Sequence, residues 1–274
     1  MPTSDVPAVL PVLGGAGVAT STSPSATGGS AADGGIVVGG AGGGSSPSDA
    51  TALTAALMVP MVGAPDADRV WTSLSPQLRA GDVVVAQASG DVPGFLAFSD
   101  RVRTDAPSVS YFVSVSDLAT LKSIVEHGLP ATITGVGLAN VDASDVATLG
   151  NAATLVHGAG KKLLVSTTAF PTKATLGEIG ARADVVELVL AAAVELGLAT
   201  TDDSIAADQV ATASAALRTT GKPLVFIRLP QTVASSTTRV TAMGRAIVGR
   251  TAFVGIAFPW ADGLGDLMSS FRKH

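Results

Sequence analysis

Polar and charged side chains follow the ends of several apolar runs in this chain. If each run is a buried parallel strand, these side chains gather at the edge where the strands end, which is where such sheets carry their reactive groups. The residues at these positions are Asp66, Gln87, Ser89, Asp91, Ser114, Ser116, Asn140, Asp142, Ser166, Thr167, Thr168, Glu195, Arg228, Gln231, Trp260 and Asp262.

Pairs of carboxyl groups are the first chemistry to test among these residues. Glycoside hydrolysis needs one carboxyl group as acid and a second as base or nucleophile. Asp142 with Asp262, or Asp142 with Glu195, are the pairs that suit this role, and Asp66 and Asp91 are weaker candidates. The alternative is structural, since an aspartate in NVDASD or WADGLGD is equally typical of a helix N-cap.

Two opposite charges lie inside otherwise apolar runs. Glu187 is in VVELVL and Arg228 is in LVFIRL, the next strand-like run along the chain. Neither charge is cheap to bury alone, so the sequence predicts that both face the interior and form a structural ion pair.

Several other chemistries are not indicated. The chain has no cysteine, which excludes thiol catalysis and zinc–thiolate sites. His127 and His157 fall at helix ends and His274 is terminal, so no metal site is expected, and no motif calls for a cofactor. A net charge of −5 argues against nucleic-acid binding, and no apolar run is long enough for a membrane span.

Eight apolar runs of strand length alternate with helix-like stretches from about residue 54 onward. Runs that are apolar on both faces are typical of parallel strands covered by helices, and eight such units predict a (β/α)8 TIM barrel. The predicted strands are Ala56–Val62, Asp82–Gln87, Val109–Ser114, Thr134–Ala139, Lys162–Thr167, Val185–Leu190, Leu224–Leu229 and Phe253–Phe258. The predicted helices are Asp66–Arg79, Gly94–Asp105, Ser116–His127, Ser144–Gly158, Thr175–Arg182, Ser204–Thr219, Thr237–Gly249 and Leu264–Arg272.

The first 50 residues differ in composition from the barrel predicted over 51–274. They hold 12 of the 31 glycines, with many Ser, Thr and Ala and no Lys or Arg. Such a segment buries too little apolar surface to fold alone. We therefore expect a Gly/Ser-rich arm over 1–50 that anchors the chain in a homo-oligomer, with a trimer as the first expectation.

Four segments of the chain resemble a known family. VPMVGAP, VVVAQASGDVPGF, SYFVSV and TGVGLANVD follow one another in the order seen in the spherulation-specific family 4 proteins, over roughly residues 57–190. These are (β/α)8 barrels that include glycosidase-like members. In that family the fourth strand ends in an acidic pair, and the aligned residues here are Ala139 and Asn140. The resemblance therefore implies a barrel that has lost hydrolysis.

The same resemblance implies a role and a location. Similar barrels preceded by Gly-rich arms occur in minor tail proteins of actinobacterial phages, which implies a virion tail component held to other tail proteins by its arm. Its mouth would bind host surface polysaccharide through Gln87, Ser89, Asn140 and Trp260. The alternatives are an active glycoside hydrolase and a secreted or surface protein of an actinobacterium.

Overall fold

Eight parallel strands close into one barrel in the order in which they follow along the chain. The computed structural model describes residues 54–60, 64–88, 90–141, 145–189, 212–213, 215–217, 219–221, 223–228, 255–258 and 264–272; at 54–67, 140, 266–267 and 270–271 it describes the backbone alone. The strands are β1 (Thr54–Pro60), β2 (Val83–Gln87), β3 (Ser110–Val115), β4 (Gly135–Val141), β5 (Lys162–Thr167), β6 (Val185–Val189), β7 (Leu224–Arg228) and β8 (Gly255–Phe258).

Helices follow the strands and cover the outside of the barrel. Those with described bounds are α1 (Ala64–Leu74), which continues into a 3-10 turn (Ser75–Gln77), α2 (Val92–Asp105), α3 (Leu118–Glu126), α4 (Val146–Gly158), α5 (Lys173–Arg182) and α6 (Leu264–Arg272). Residues 212–213 and 215–217 are also helical. None of the described helices is both long enough and apolar enough to cross a membrane.

Aspartates in the βα loops start three of these helices. Asp91, Asp117 and Asp145 accept hydrogen bonds from the backbone N–H three residues on, at 2.9, 2.7 and 2.9 Å. A helix leaves its first N–H groups without partners, and a side-chain oxygen at the N-cap satisfies one of them. Carboxylates on this face of the barrel therefore have a structural use that is independent of catalysis.

Glycines at positive φ turn the chain from helix back to strand at the other end of the barrel. Gly128 (φ 92°) follows α3 and Gly160 (φ 68°) follows α4. Only glycine adopts this backbone without a Cβ penalty, so each residue ends its helix and directs the chain toward the next strand.

The apolar side chains form two layers, one on each side of the strands. The outer layer lies between strands and helices and includes Trp71, which is fully buried. The inner layer fills the barrel, and its described members are Val83, Val85, Phe112, Leu164, Val185, Phe226 and Ala257. Strands that are apolar on both faces are what this arrangement requires.

The structure confirms the fold class predicted from the sequence. The bounds of β5 and α6 agree with the prediction to the residue, whereas β1 begins and ends two residues earlier than predicted. The barrel belongs to a compact unit that spans Asp49–His274. The arm predicted over 1–50 and the helix predicted over 237–249 lie outside the described residues, and the arm's role stays a prediction.

Candidate functional site at the barrel mouth

The stagger of the strands decides which side chains lie at one level of the barrel. One ladder of paired residues runs through Pro60, Gln87, Ser114, Gly137, Leu164, Val185 and Leu224. Two residues further along the strands, Phe226 pairs with Gly255, and Gly255 pairs with Thr54. The ladder thus returns to β1 about eight residues before Pro60, which is the shear of a (β/α)8 barrel. Residues at the same height in the barrel therefore lie about one residue further along the sequence at each successive strand than the residues paired in the ladder.

This stagger brings polar residues from alternate strands to one level near the C-terminal ends of the strands. Ser114 on β3, Ser166 on β5 and Arg228 on β7 share the level, as expected for the inward layers of such barrels. Glu187 on β6 lies just below it. We call Ser114, Ser166, Glu187 and Arg228 the mouth cluster. Gln87, half-buried at the end of β2, lies one level above.

Glu187 and Arg228 form a two-point ion pair inside the barrel. Arg228 Nε lies 2.7 Å from Glu187 Oε1, and Arg228 Nη2 lies 2.9 Å from Glu187 Oε2. The Ser166 hydroxyl donates a further hydrogen bond to Oε2. The Glu187 side chain is 4% exposed and that of Arg228 is 26% exposed. The pair predicted from the sequence is therefore present, and its guanidinium end is open toward the mouth.

The environment keeps Arg228 charged. Burial by itself would lower its pKa, but the hydrogen bond and the negative charge of Glu187 outweigh this and raise the pKa above its usual value. Arg228 Nη1 makes no hydrogen bond to any described residue. A guanidinium has five N–H donors, so the edge formed by Nη1 and Nη2 remains able to hold a carboxylate or phosphate at two points.

Ser114 differs from Ser166 because its side chain has no hydrogen-bond partner among the described residues. Its side chain is buried, with 2% of the residue exposed, and its Oγ forms no hydrogen bond within the described part of the chain. The hydroxyl lies against Gly137 of β4, where an added Cβ would come within 2.8 Å of Ser114 Oγ. A small inner residue on β4 thus makes room for this side chain.

The structure places the other predicted site residues as follows. Asp91 is the N-cap of α2, and Asp66 lies in the first turn of α1. Asn140 belongs to β4, and nothing further is described for its side chain. The remaining candidates, Asp142, Glu195, Asp262, Ser89 and Trp260, lie outside the described residues. No group of three His, Asp or Glu side chains suited to a metal ion occurs within the described ranges.

The mouth cluster was only partly visible in the sequence. The charges in VVELVL and LVFIRL pointed to Glu187 and Arg228, but Ser114 and Ser166 stood there merely as strand-end residues. These residues can be recognised as one group only if two things are known. One is which residues of each strand face inward, and the other is the shift of about one residue per strand, which follows from the pairing register.

Comparisons with known proteins identify the fold. No family model matches the chain, and no curated protein matches it. The chain is similar to 3-keto-L-gulonate-6-phosphate decarboxylase from Vibrio cholerae (TM-score 0.56, 11% identity, 81% of this chain and 97% of that one). It is also similar to tryptophan synthase alpha chain from Legionella pneumophila (0.54, 12%, 81% and 90%). A third is orotidine 5′-monophosphate decarboxylase from Methanocaldococcus jannaschii (0.52, 9%, 81% and 97%). At these identities the likeness shows the fold alone.

These comparisons correct the family and the function expected from the sequence. The matching barrels are metabolic enzymes, so the assignment to the spherulation-specific family 4 type is wrong. Four expectations that depended on this assignment are also wrong: a phage tail protein, a glycoside hydrolase-like barrel, a glycan-binding role and a chain that is not an enzyme. The predicted location in a virion tail, with secretion or the cell surface as its alternative, stays a prediction.

The physical reason for this error is that the segments used for the resemblance form strands and helix caps of the barrel, and their sequences reflect those structural roles. VVVAQASGDVPGF spans β2 and the N-cap of α2, and TGVGLAN spans β4. On β4 the inner positions are small because Phe112 and Ser114 of β3 occupy the space beside Gly135 and Gly137. Ala139, which was aligned with a lost acid, continues this series of small inner residues and is no sign of a lapsed hydrolase.

Proposed function

We propose that this chain is a (β/α)8-barrel enzyme that acts on a small carboxylated or phosphorylated metabolite, with Arg228 as the group that binds the anion. The observation that carries the proposal is the Nη1 edge of the Arg228 guanidinium, which has no partner among the described residues, while Glu187, itself bonded by Ser166, holds the other edge in place. It lies at the C-terminal ends of the strands, where barrels of this kind bind and transform their substrates.

Energetics support a functional reason for the ion pair. Replacing a buried ion pair by well-packed apolar residues is often neutral or stabilising. The inner layer below is already apolar, with Phe112, Leu164 and Phe226 on β3, β5 and β7. Stability therefore gives no reason to keep two charges in this barrel, whereas binding an anion does.

The similar barrels support the class of substrate and reaction. Two of them are named for 3-keto-L-gulonate 6-phosphate and orotidine 5′-monophosphate, which are phosphate esters, and both are decarboxylases. We propose a decarboxylase- or synthase-type reaction for this chain. Within the described strands Glu187 is the inward carboxylate, and we assign it to hold Arg228 in position.

Binding of anions by paired variants tests the proposal. The variant Glu187→Gln/Arg228→Gln removes both charges and leaves no unpaired charge in the barrel. We expect calorimetry to show at least tenfold weaker binding of orotidine 5′-monophosphate and citrate than in the wild type, because a two-point charged contact is lost. Lys122→Gln removes one charge from an exposed pair and serves as the control. Equal affinity in all three proteins would refute the proposal.

Turnover is tested with the same variants. The wild-type protein is incubated with a mixture of phosphorylated sugar acids and carboxylic acids, and the loss of each compound is followed by mass spectrometry. We expect one or more compounds to be consumed by the wild type and by Lys122→Gln, and none by the double variant. Consumption by the double variant at the wild-type rate would separate the reaction from the mouth cluster.

The assembly is a further part of this proposal. We propose a homo-oligomer, with a trimer as the first expectation, in which the 1–50 arm contacts a neighbouring subunit. Light scattering on the full chain and on a chain lacking 1–50 tests it. A full-length protein that runs as a monomer contradicts it.

A further inference from the structure

The unpartnered hydroxyl of Ser114 is the feature of the described barrel that the proposed anion site does not use. Most buried polar side chains in proteins have a hydrogen-bond partner, and each exception needs an explanation. Ser114 is almost completely buried and is on the inner face of β3, yet Oγ has no partner among the described residues. The neighbouring serine of the same level, Ser166, is bonded to Glu187.

The position of Ser114 is fixed by its neighbours. Its hydroxyl lies on Gly137 of β4, close to the place that a Cβ of residue 137 would fill, and Leu164 of β5 approaches the same point. β4 offers only a glycine here, and the side chain of β5 that approaches the same point is the apolar Leu164, so neither gives the hydroxyl a hydrogen-bond partner. Its hydrogen-bonding capacity is thus left for a molecule inside the barrel.

Ser114 and Arg228 lie on opposite walls of the barrel at one level. β3 and β7 are separated by β4, β5 and β6 on one side and by β8, β1 and β2 on the other. The inner layer fills the barrel below this level, so a ligand lies above that layer, at the mouth. A small molecule whose anionic group contacts Arg228 therefore presents its other end to β3.

We infer that Ser114 is a second substrate-binding residue that recognises a hydroxyl or carbonyl oxygen of the metabolite. This inference rests on the proposed function, because it uses Arg228 to place the anionic end. The substrate class is narrowed accordingly to small carboxylates or phosphate esters that carry an additional hydroxyl or carbonyl group. A buried polar group without a protein partner discriminates strongly against an analogue that lacks the matching group.

Matched ligands that differ only in their hydroxyl groups test this inference. Citrate is compared with tricarballylate, and glycerol 3-phosphate with n-propyl phosphate, so that each pair keeps its anionic groups. We expect the wild type to bind the hydroxylated member roughly five- to tenfold more tightly in at least one pair. In Ser114→Ala this preference disappears, while the affinity for the member without the hydroxyl stays within about twofold of the wild type.

Thermal stability without ligand provides a second readout that does not depend on the choice of probe. Ser114→Ala removes a hydroxyl that has no partner, so its midpoint of unfolding is expected to equal or exceed that of the wild type. Ser166→Ala is the matched control, because it removes a hydroxyl that is bonded to Glu187 and is expected to lower the midpoint. A clearly lower midpoint for Ser114→Ala would show that the hydroxyl is already satisfied and would overturn the inference.

The outcomes separate this inference from the proposed function. If Ser114→Ala keeps the hydroxyl preference, or the wild type has none in either pair, Ser114 is not a substrate contact although the anion site stands. Ser114 is likewise no substrate contact if its hydroxyl holds only a buried water, since ligand preference would then be independent of Ser114. If the wild type binds no member of either pair, or Glu187→Gln/Arg228→Gln binds them as well as the wild type, the anion site itself is wrong.

Discussion

At the scale of single residues, the mouth cluster shows how one barrel level can combine structure with recognition. Glu187 accepts hydrogen bonds from both Ser166 and Arg228, whereas one edge of Arg228 and the hydroxyl of Ser114 have no partner among the described residues. Groups held in place before the ligand arrives bind it at a smaller entropic loss than groups that must be ordered. The bonded members therefore position the unbonded ones.

The ion pair gives a prediction about stability. Arg228→Ala leaves Glu187 buried without its counter-ion, and we expect the free energy of unfolding to fall by about 3 kcal/mol. Glu187→Gln/Arg228→Gln leaves no uncompensated charge and is expected to lose less than the single variant. Urea unfolding followed by circular dichroism measures both. A single variant as stable as the double variant would mean that Glu187 is solvated in solution.

At the same scale, the sequence predicts charged residues better than hydroxyl residues. A charge within an apolar strand has few tolerable surroundings, so Glu187 and Arg228 could be paired from the sequence alone. A serine in a strand is unremarkable, and Ser114 gains its significance only from the register that places it level with Arg228. That register is a property of the closed barrel and of no local segment.

At the scale of elements, each βα loop of the described part combines two tasks. It ends a strand whose last inward side chain faces the mouth, and it begins a helix with a capping residue, as at Asp91, Asp117 and Asp145. The helix positions were therefore predictable from local signals such as Ser116-Asp117. The same capping role gives Asp91 a structural use that needs no catalysis, as the sequence also allowed for aspartates in these loops.

The cap of α3 gives a prediction that depends on pH. The backbone N–H of Thr120 and, as the second contribution, the Thr120 hydroxyl donate hydrogen bonds to the Asp117 carboxylate. These bonds hold the pKa of Asp117 below its usual value. Because the pKa is lower in the folded state, ionised Asp117 stabilises the fold at pH values above its unfolded pKa, which is about 4. This stability is lost as the pH falls through the folded pKa. We expect Asp117→Ala to lose about 1 kcal/mol at pH 7 and progressively less below pH 4.

Asp117→Asn is the matched control for that measurement. Asparagine is also a good N-cap, so this variant keeps the hydrogen bond from Thr120 and loses only the ionisation. Its difference from the wild type should be smaller than that of Asp117→Ala at pH 7 and should vanish under acidic conditions. Unfolding curves in urea between pH 2 and 7 provide the comparison. A deficit of Asp117→Ala that is constant over this range would contradict the assigned cap.

At the scale of the whole barrel, α6 is bound to the segment between α1 and β2. The Arg272 guanidinium at the end of α6 donates to the Gln77 carbonyl oxygen at 2.6 Å and to the Asp82 carboxylate. The Arg272 and Asp82 side chains are 5% and 2% exposed. Asp82 also accepts the backbone N–H of Arg79 at 2.8 Å. These contacts join α6 to the turn after α1 and to the start of β2, so that the last helix packs where the first one ends.

The contact of Arg272 with Gln77 and Asp82 gives a prediction about the stability of the whole barrel. Arg272→Ala removes the guanidinium that donates to the buried Asp82 carboxylate, and we expect a loss of about 3 kcal/mol in the free energy of unfolding. The exposed pair of Lys122 and Glu126, 3.7 Å apart, is the control, and Lys122→Ala should change stability by less than about 1 kcal/mol. Because α6 joins the two ends of the barrel, the weakened protein should still unfold in one transition seen equally by circular dichroism and by the fluorescence of the two tryptophans. Two separate transitions would instead mean that α6 detaches before the rest of the barrel unfolds, and that the contact is local.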